Sequence, residues 1–399
     1  MKIISIVGAR PNFMKIAPFV RAIEQYNQTH NDATSPNIQH ILVHTGQHYD
    51  DRMSQAFFDA LGIPAADINL GIGSGSHAEQ VGNTMIGFEK VCLQEQPDWV
   101  VVVGDVNATL ACSVTAKKLN IKVCHIEAGL RSGDITMPEE VNRLVTDRLS
   151  DLLLTPDKLS NENLQKEGVP DEKIKFVGNI MIDTLEANRD KASTLQINHI
   201  IKANLLDSDR AQAFIPLLKE ADSAPSRDRG SYALLTLHRP SNVDQKEVLE
   251  TILHFLTDEV ASEMPVIWPI HPRTQKMLQN FGLWEKAITC TNLFLMHPIG
   301  YHEMLRLNMS ASIMLTDSGG LQEECCVLGT PCLTLRWNTE RPVTLKEHGG
   351  ASVLVGNNIE RIRKEYQKAI KAGRVPQRPE LWDGQAAMRC VKAIVEYQA

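Results

Sequence analysis

Short apolar runs rich in Val, Ile and Leu recur along this chain, each followed by a stretch of helical spacing, and that alternation leaves few folds open to it. In the first half the runs are 2–7, 40–44, 99–103, 122–126, 152–155 and 174–177; in the second they are 232–237, 266–270, 293–296, 313–316, 332–335 and 352–355. Most are apolar without interruption rather than at every second position, so both faces of each strand are expected to be covered. Strands covered twice and separated by helices belong in the parallel sheets of α/β domains. One core does not usually organise 399 residues, so six runs in each half predict two doubly wound, Rossmann-like α/β domains. The boundary is expected near residue 182, giving domains 1–182 and 183–379. A polar stretch, Asp222 to Gly230, reads as an exposed insertion near the linker.

Ligands of open parallel sheets bind beyond the carboxyl ends of the strands, so the residues just past each run are the ones that can carry chemistry. In the first half these are Gly8 to Asn12 with Lys15, then Gly104-Asp105, then Glu127 to Arg131. In the second they are His238-Arg239-Pro240, His271-Pro272-Arg273, His297-Pro298, Asp317 to Gly320, and Arg336. One set is rich in acids and the other in His, Arg and phosphate donors. The expectation is an interdomain cleft whose first wall does chemistry while the second grips a nucleotide.

The strongest local signal is Thr316-Asp317-Ser318-Gly319-Gly320-Leu321-Gln322-Glu323-Glu324, directly behind the run 313–316. Glycines at 319 and 320 allow a tight turn into a helix whose first N–H groups, with the Ser318 hydroxyl, can cradle phosphate. Glu323 and Glu324 would repel that phosphate unless they point past it to neutral donors such as ribose hydroxyls. The guest so described is a nucleoside diphosphate. The alternative is an ordinary turn with acids placed to suit the helix dipole.

Each acid in the first half also has a plain structural reading. Asp105 could cap the helix that begins near Asn107, and Glu139, behind Thr136 and Pro138, could pair with Arg143 one turn on. Glu127 ends a strong apolar run, where a carboxylate is costly unless it is paired or used. His238 and His271 could be satisfied loop histidines, although each stands just past a strand. Arg10 and Lys15, at the first turn of a helix, have the reach for an anion.

Other chemistries find little support. Dinucleotide-type spaced glycines, a Walker sequence, a hydrolase elbow and an HExxH pair are all missing, and His44 with His48 lacks a helical frame for zinc. Gly71 to Gly75 reads as a flexible loop. With a net charge of −7 and dispersed Lys and Arg, neither nucleic acid nor a membrane surface is an expected partner. The eight cysteines show no paired two-residue spacing and sit within predicted elements, which points to a reducing cytoplasm. The apolar run at the N-terminus is a strand, too short for a signal peptide or membrane span.

Taken in order, Val7 to Lys15, His44 to His48, Gly104-Asp105, His125 to Asp134, Met137 to Arg143, His238-Arg239, Thr316 to Glu324 and Thr339 to Pro342 resemble the non-hydrolysing UDP-N-acetylglucosamine 2-epimerases across nearly the whole chain. The resemblance implies a GT-B-like pair of Rossmann-like domains with a closing helix, about 380–399, returned to the first. It implies a cytoplasmic homodimer that needs no cofactor or metal and interconverts UDP-GlcNAc with UDP-ManNAc, or a related UDP-diacetamido uronic acid with its epimer. By the same resemblance Asp105, Glu127 and Glu139 are catalytic, with His238 near the pyrophosphate. Arg10, Lys15, Arg143, His271, Ser318, Gly319, Gly320, Glu324 and Arg341 would contact substrate. The run after Gly104-Asp105 departs from the family's hydroxyl residues at Ala108, and Cys325-Cys326 stands where smaller residues are usual. A regulatory site would draw on Gln47 and His271. A GT-B glycosyltransferase is the rival reading.

Overall fold

The computed structural model describes residues 1–8, 10–29, 37–46, 62, 65–207 and 232–397. Gln47, His48, the polar stretch 222–230 and the side chain of Arg10 lie outside the described residues. The chain divides into two compact units, one formed by 1–187 with 380–399 and the other by 188–379.

The first unit is a parallel sheet of β1 (Lys2–Val7), β2 (Gln39–His44), β3 (Ile68–Asn69), β4 (Trp99–Val103), β5 (Lys122–Ile126), β6 (Leu152–Thr155) and β7 (Ile174–Phe176). Its order is β3-β2-β1-β4-β5-β6-β7, with every described pairing parallel. This is one strand more than the six expected, since Ile68–Asn69 has only two residues and no apolar run to announce it. The glycines at 71 and 73 that follow take left-handed φ, and Ser76 then caps the helix His77–Glu95 in a capping box with Glu79.

The second sheet holds β8 (Ala233–Thr236), β9 (Val266–Pro269), β10 (Leu293–Met296), β11 (Ile313–Thr316), β12 (Cys332–Thr334) and β13 (Ser352–Leu354) in the order β10-β9-β8-β11-β12-β13. Uninterrupted apolar sequence has its reason here. Leu235, Trp268, Leu295, Leu315 and Leu333 enter the core on one face, while Leu234, Ile267, Phe294, Met314 and Cys332 enter the core on the other. Successive side chains alternate faces, so a strand buried on both is apolar along most of its length.

One detail of the first unit shows how a local defect is repaired at long range. Pro18 lies inside the helix Arg10–Thr29 and has no N–H for the carbonyl of Met14. The Thr184 hydroxyl donates to that carbonyl instead. Residues 380–397 complete the same unit: Trp382 Nε1 donates to Pro156 O at 3.0 Å, and the Asp183 carboxylate accepts the N–H groups of Ala386 and Ala387 at 3.0 and 2.7 Å. These are the first residues of the helix Ala386–Val395, so Asp183 caps it from far away in sequence. Among the described residues no helix is long and apolar enough to cross a membrane.

Candidate active site

In both sheets the strand order reverses beside the first strand, between β1 and β4 in one unit and between β8 and β11 in the other. Crevices of this fold open at such points, beyond the carboxyl ends. Lys15 and Asp105 stand past β1 and β4, and His238 and Ser318 past β8 and β11, while Glu127 follows β5, His271 follows β9 and Arg341 lies past β12.

In the first unit Glu127 follows β5 with φ +69°, a left-handed backbone that costs a side-chain-bearing residue about 1–3 kcal/mol. Its side chain is almost wholly buried; Oε2 pairs with Lys15 Nζ, and Oε1 has no hydrogen-bond partner among the described residues. Lys15 is itself only 6% exposed, so two charges are held out of water and each depends on the other. Gly104 passes between β4 and this pair with φ +67°, and a Cβ there would stand 3.0 Å from Lys15 Nζ and 3.5 Å from Glu127 Oε2. Asn12 Nδ2 donates to Val103 O at 2.7 Å, holding the helix that carries Lys15 against β4.

Asp105 is not a helix cap. Val106 occupies the N-cap position of the helix Asn107–Lys118, and the Asp105 carboxylate instead pairs with Arg143. Arg143 does not pair with Glu139 either. Its Nε and Nη2 donate to Glu140 Oε2 at 2.9 and 2.7 Å, and Glu140 also accepts the Ser132 and Gly133 N–H groups. Burial would raise the Glu140 pKa, but the Ser132 N–H and Arg143 hold it below the usual range. Arg143, nearly buried, is thus aimed at Asp105 by a neighbour that sequence reasoning passed over. Glu139, half-buried in the first turn of the helix Pro138–Leu149, makes no ion pair among the described residues.

In the second unit the organiser is Asp317, just past β11 and fully buried. Its carboxylate takes the His238 N–H at 3.0 Å, the Arg239 N–H at 2.8 Å and Asn242 Nδ2 at 3.1 Å, and His238 Nδ1 stands 2.8 Å away. Burial pushes its pKa up; the His238 hydrogen bond and charge, with the two N–H groups, bring it below the normal value. His238 is therefore oriented through Nδ1 while the rest of its ring stays partly exposed. His271 lies against it, ring centroids 5.6 Å apart and planes tilted by 38°, and caps the helix Pro272–Asn280 through Nδ1, accepting the Arg273 N–H. Burial, and then the charge of His238, lowers the His271 pKa.

Ser318 is the N-cap of the helix Gly319–Leu328, yet its hydroxyl makes no cap bond, and Gly320 has open space where a Cβ would stand. That leaves the helix N-terminus with donors to offer an anion. Gly319 is required for another reason. A Cβ there would lie 2.8 Å from both Arg341 Nη1 and Glu340 Oε1. Arg341 pairs with Glu340 and, at 2.9 Å, with Glu323, while Arg336 Nη2 reaches Glu340 at 2.8 Å. These four charged side chains are nearly all buried, and Arg341, expected to contact a nucleotide, is already engaged with two carboxylates. Glu323 and Glu324, adjacent in sequence, differ in company. Glu324 faces Asn308 and Tyr301 rather than a cation, and burial pushes its pKa up to about 7. No group of three His, Cys, Asp or Glu side chains among the described residues could hold a metal.

With this geometry in view, the comparisons with known proteins are specific. The family model described as UDP-N-acetylglucosamine 2-epimerase matches residues 31–395. A UDP-N-acetylglucosamine 2-epimerase of Methanocaldococcus jannaschii is 40% identical over 395 residues, covering 99% of both chains. The crystal structure of the UDP-GlcNAc 2-epimerase from that organism, in complex with UDP-GlcNAc and UDP, superposes with a TM-score of 0.81 at 38% identity and covers 100% of each chain. The UDP-2,3-diacetamido-2,3-dideoxy-D-glucuronate 2-epimerase of Pseudomonas aeruginosa is 38% identical, covering 89% of this chain and 88% of its own.

Proposed function

The chain belongs to the UDP-N-acetylglucosamine 2-epimerase family and is an epimerase of UDP-sugars, and from that premise we propose that it interconverts UDP-GlcNAc and UDP-ManNAc by eliminating and re-adding UDP. The difficulty of the reaction is that carbon 2 does not adjoin a carbonyl, so its hydrogen is barely acidic. Breaking the bond from carbon 1 to the phosphate oxygen removes that obstacle. UDP leaves with the bonding pair, positive charge develops at carbon 1, and a carboxylate takes the carbon 2 proton. A double bond between carbons 1 and 2 closes the intermediate, 2-acetamidoglucal. Return of a proton to the opposite face and of UDP to carbon 1 gives the epimer.

In this reading Asp105, Glu127 and Glu139 handle the proton and the developing positive charge. The supporting observation is Glu127 Oε1, a buried carboxylate oxygen with no donor among the described residues, on a strained residue, which is costly unless a ligand completes it. Arg143 and Lys15 offset the charge of Asp105 and Glu127 while the site is being filled. The second unit would hold the nucleotide: diphosphate at Ser318, Gly319 and Gly320 with His238 beside it, and ribose at Glu324.

Epimerisation in heavy water tests the chemistry. UDP-ManNAc formed from UDP-GlcNAc should carry deuterium at carbon 2, read by proton NMR; a product without it would remove the proton-transfer role from all three acids. Offering UDP-2,3-diacetamido-2,3-dideoxy-D-glucuronate in parallel separates the two substrates known among the relatives.

Glu324 gives the pH dependence. Ribose hydroxyls donate to a carboxylate, but with a pKa near 7 the free protein holds Glu324 protonated in mild acid. Binding of UDP-GlcNAc, whose diester phosphates do not titrate here, should weaken as pH falls from 8 to 6. By the same linkage, the ligand-free fold loses stability as pH rises from the unfolded value through 7. Calorimetry at pH 6 and 8 checks the first, and Glu324→Gln should flatten the difference.

A further inference from the structure

His125 lies inside β5 and is fully buried, one of the few polar residues in a strand where both faces belong to the core. Its ring makes two hydrogen bonds. Nδ1 stands 2.6 Å from Asp147 Oδ1, and Nε2 stands 2.9 Å from the Gly104 carbonyl. The Gly104 carbonyl can only accept, so Nε2 carries the hydrogen donated to it, while Nδ1 and the Asp147 carboxylate share the other hydrogen bond. The other oxygen of Asp147 accepts the Gly129 N–H at 3.0 Å and Arg131 Nη1 at 2.7 Å. Burial would raise the Asp147 pKa, but His125 and Arg131 hold it low, consistent with an ionised acceptor.

The two backbone groups gripped in this way flank the reacting carboxylates. Gly104 immediately precedes Asp105, and its own N–H is bonded to Ile126 O at 3.1 Å. Gly129 follows Glu127 by two residues and has φ +82°; a Cβ there would meet Ser160 O at 2.5 Å. Nε2 of His125 thus ties the turn after β4 directly to β5, while Asp147 orients the ring and holds the turn after β5.

We propose that His125 and Asp147 are positioning residues for the epimerisation, setting the separation of Asp105 and Glu127 through their hold on Gly104 and Gly129. Neither side chain touches substrate. The proposal rests on the reading of Asp105 and Glu127 as reacting groups, and predicts an effect on turnover rather than on binding, because a small displacement of reacting groups is felt mainly in the transition state.

Amide replacements take the two bonds apart. Glutamine at 125 keeps a donor near Nε2 for Gly104, whereas asparagine keeps one near Nδ1 for Asp147. His125→Asn should lower kcat by roughly 30-fold or more, with KM and UDP affinity within about twofold, while His125→Gln should stay within about fivefold of the parent. A merely structural role would give losses that follow the melting temperatures of the two variants, and equal losses of kcat, or none, overturn the proposal. Should His125→Asn fail to fold, the unaltered protein decides: with ¹⁵N-labelled histidine, NMR should show an exchange-protected hydrogen on Nε2 of His125, and a ring without one there overturns it. Glu127→Gln measured alongside keeps the two readings apart. Full turnover there sinks the catalytic assignment, whereas loss there with an active His125→Asn sinks the positioning pair alone.

Discussion

Glu127→Gln should lower kcat by about a hundredfold or more and leave UDP affinity within about twofold, a loss of roughly 2.7 kcal/mol in transition-state stabilisation. The amide has the shape of the carboxylate, so the strained backbone at φ +69° and the packing around β5 are retained. What is lost is the negative charge and the ability to take a proton. Lys15 would then be a nearly buried ammonium facing an amide, which adds a modest stability cost and makes a melting curve a necessary control. Asp105→Asn should behave alike, freeing Arg143 from its pair. Initial rates by NMR and UDP binding by calorimetry provide the two readouts. Near-normal rates in both variants would return these acids to a purely structural role.

The largest expected effect on stability is at Arg341. Arg341→Met removes the cation shared by Glu323 and Glu340, and both carboxylates are nearly fully buried. Breaking a buried pair from one side costs about 3–5 kcal/mol, because the remaining charge loses the cation that offset its removal from water. For a unit of this size that corresponds to a fall in melting temperature on the order of 10 °C. The cation keeps Glu340 ionised well below the usual carboxylate range, with Arg336 contributing. Glu340 would retain Arg336, so Glu323 is the group left most exposed to the loss. Thermal melts with and without UDP measure it. A shift under about 2 °C would mean that the network relaxes around the missing charge.

Much of this architecture was legible because burial on both faces writes a continuous apolar run, as in Trp99–Val103 and Ile313–Thr316. Strand ends then point to the loops where the Asp105–Arg143, Glu127–Lys15 and His238–Asp317 pairs stand. Ile68–Asn69 escaped notice because two residues at a sheet edge carry no pattern. The choice between Glu139 and Glu140 was also hidden: neighbours on a helix face directions about 100° apart, and only the packing of Ser132 and Gly133 shows that Glu140 turns inward to Arg143. In the sequence Asp317 reads as one member of a phosphate turn. Its main service is to β8, an adjacency that follows from the strand order and not from nearness in sequence. The pairing of His125 with Asp147, 22 positions apart, has the same origin.

The split composition of the first unit has a consequence for biosynthesis. Residues 380–399 belong to it, yet the ribosome makes them only after all of 188–379. Until then the Asp183 carboxylate has no helix to cap, Pro156 O lacks the Trp382 indole, and the side of Trp99 later met edge-on by Tyr397 at 5.0 Å is uncovered. The nascent first unit must therefore wait, with part of its apolar surface open, while a complete second unit is translated and can fold ahead of it. The usual order of co-translational folding, N-terminal domain first, is reversed for the last step here.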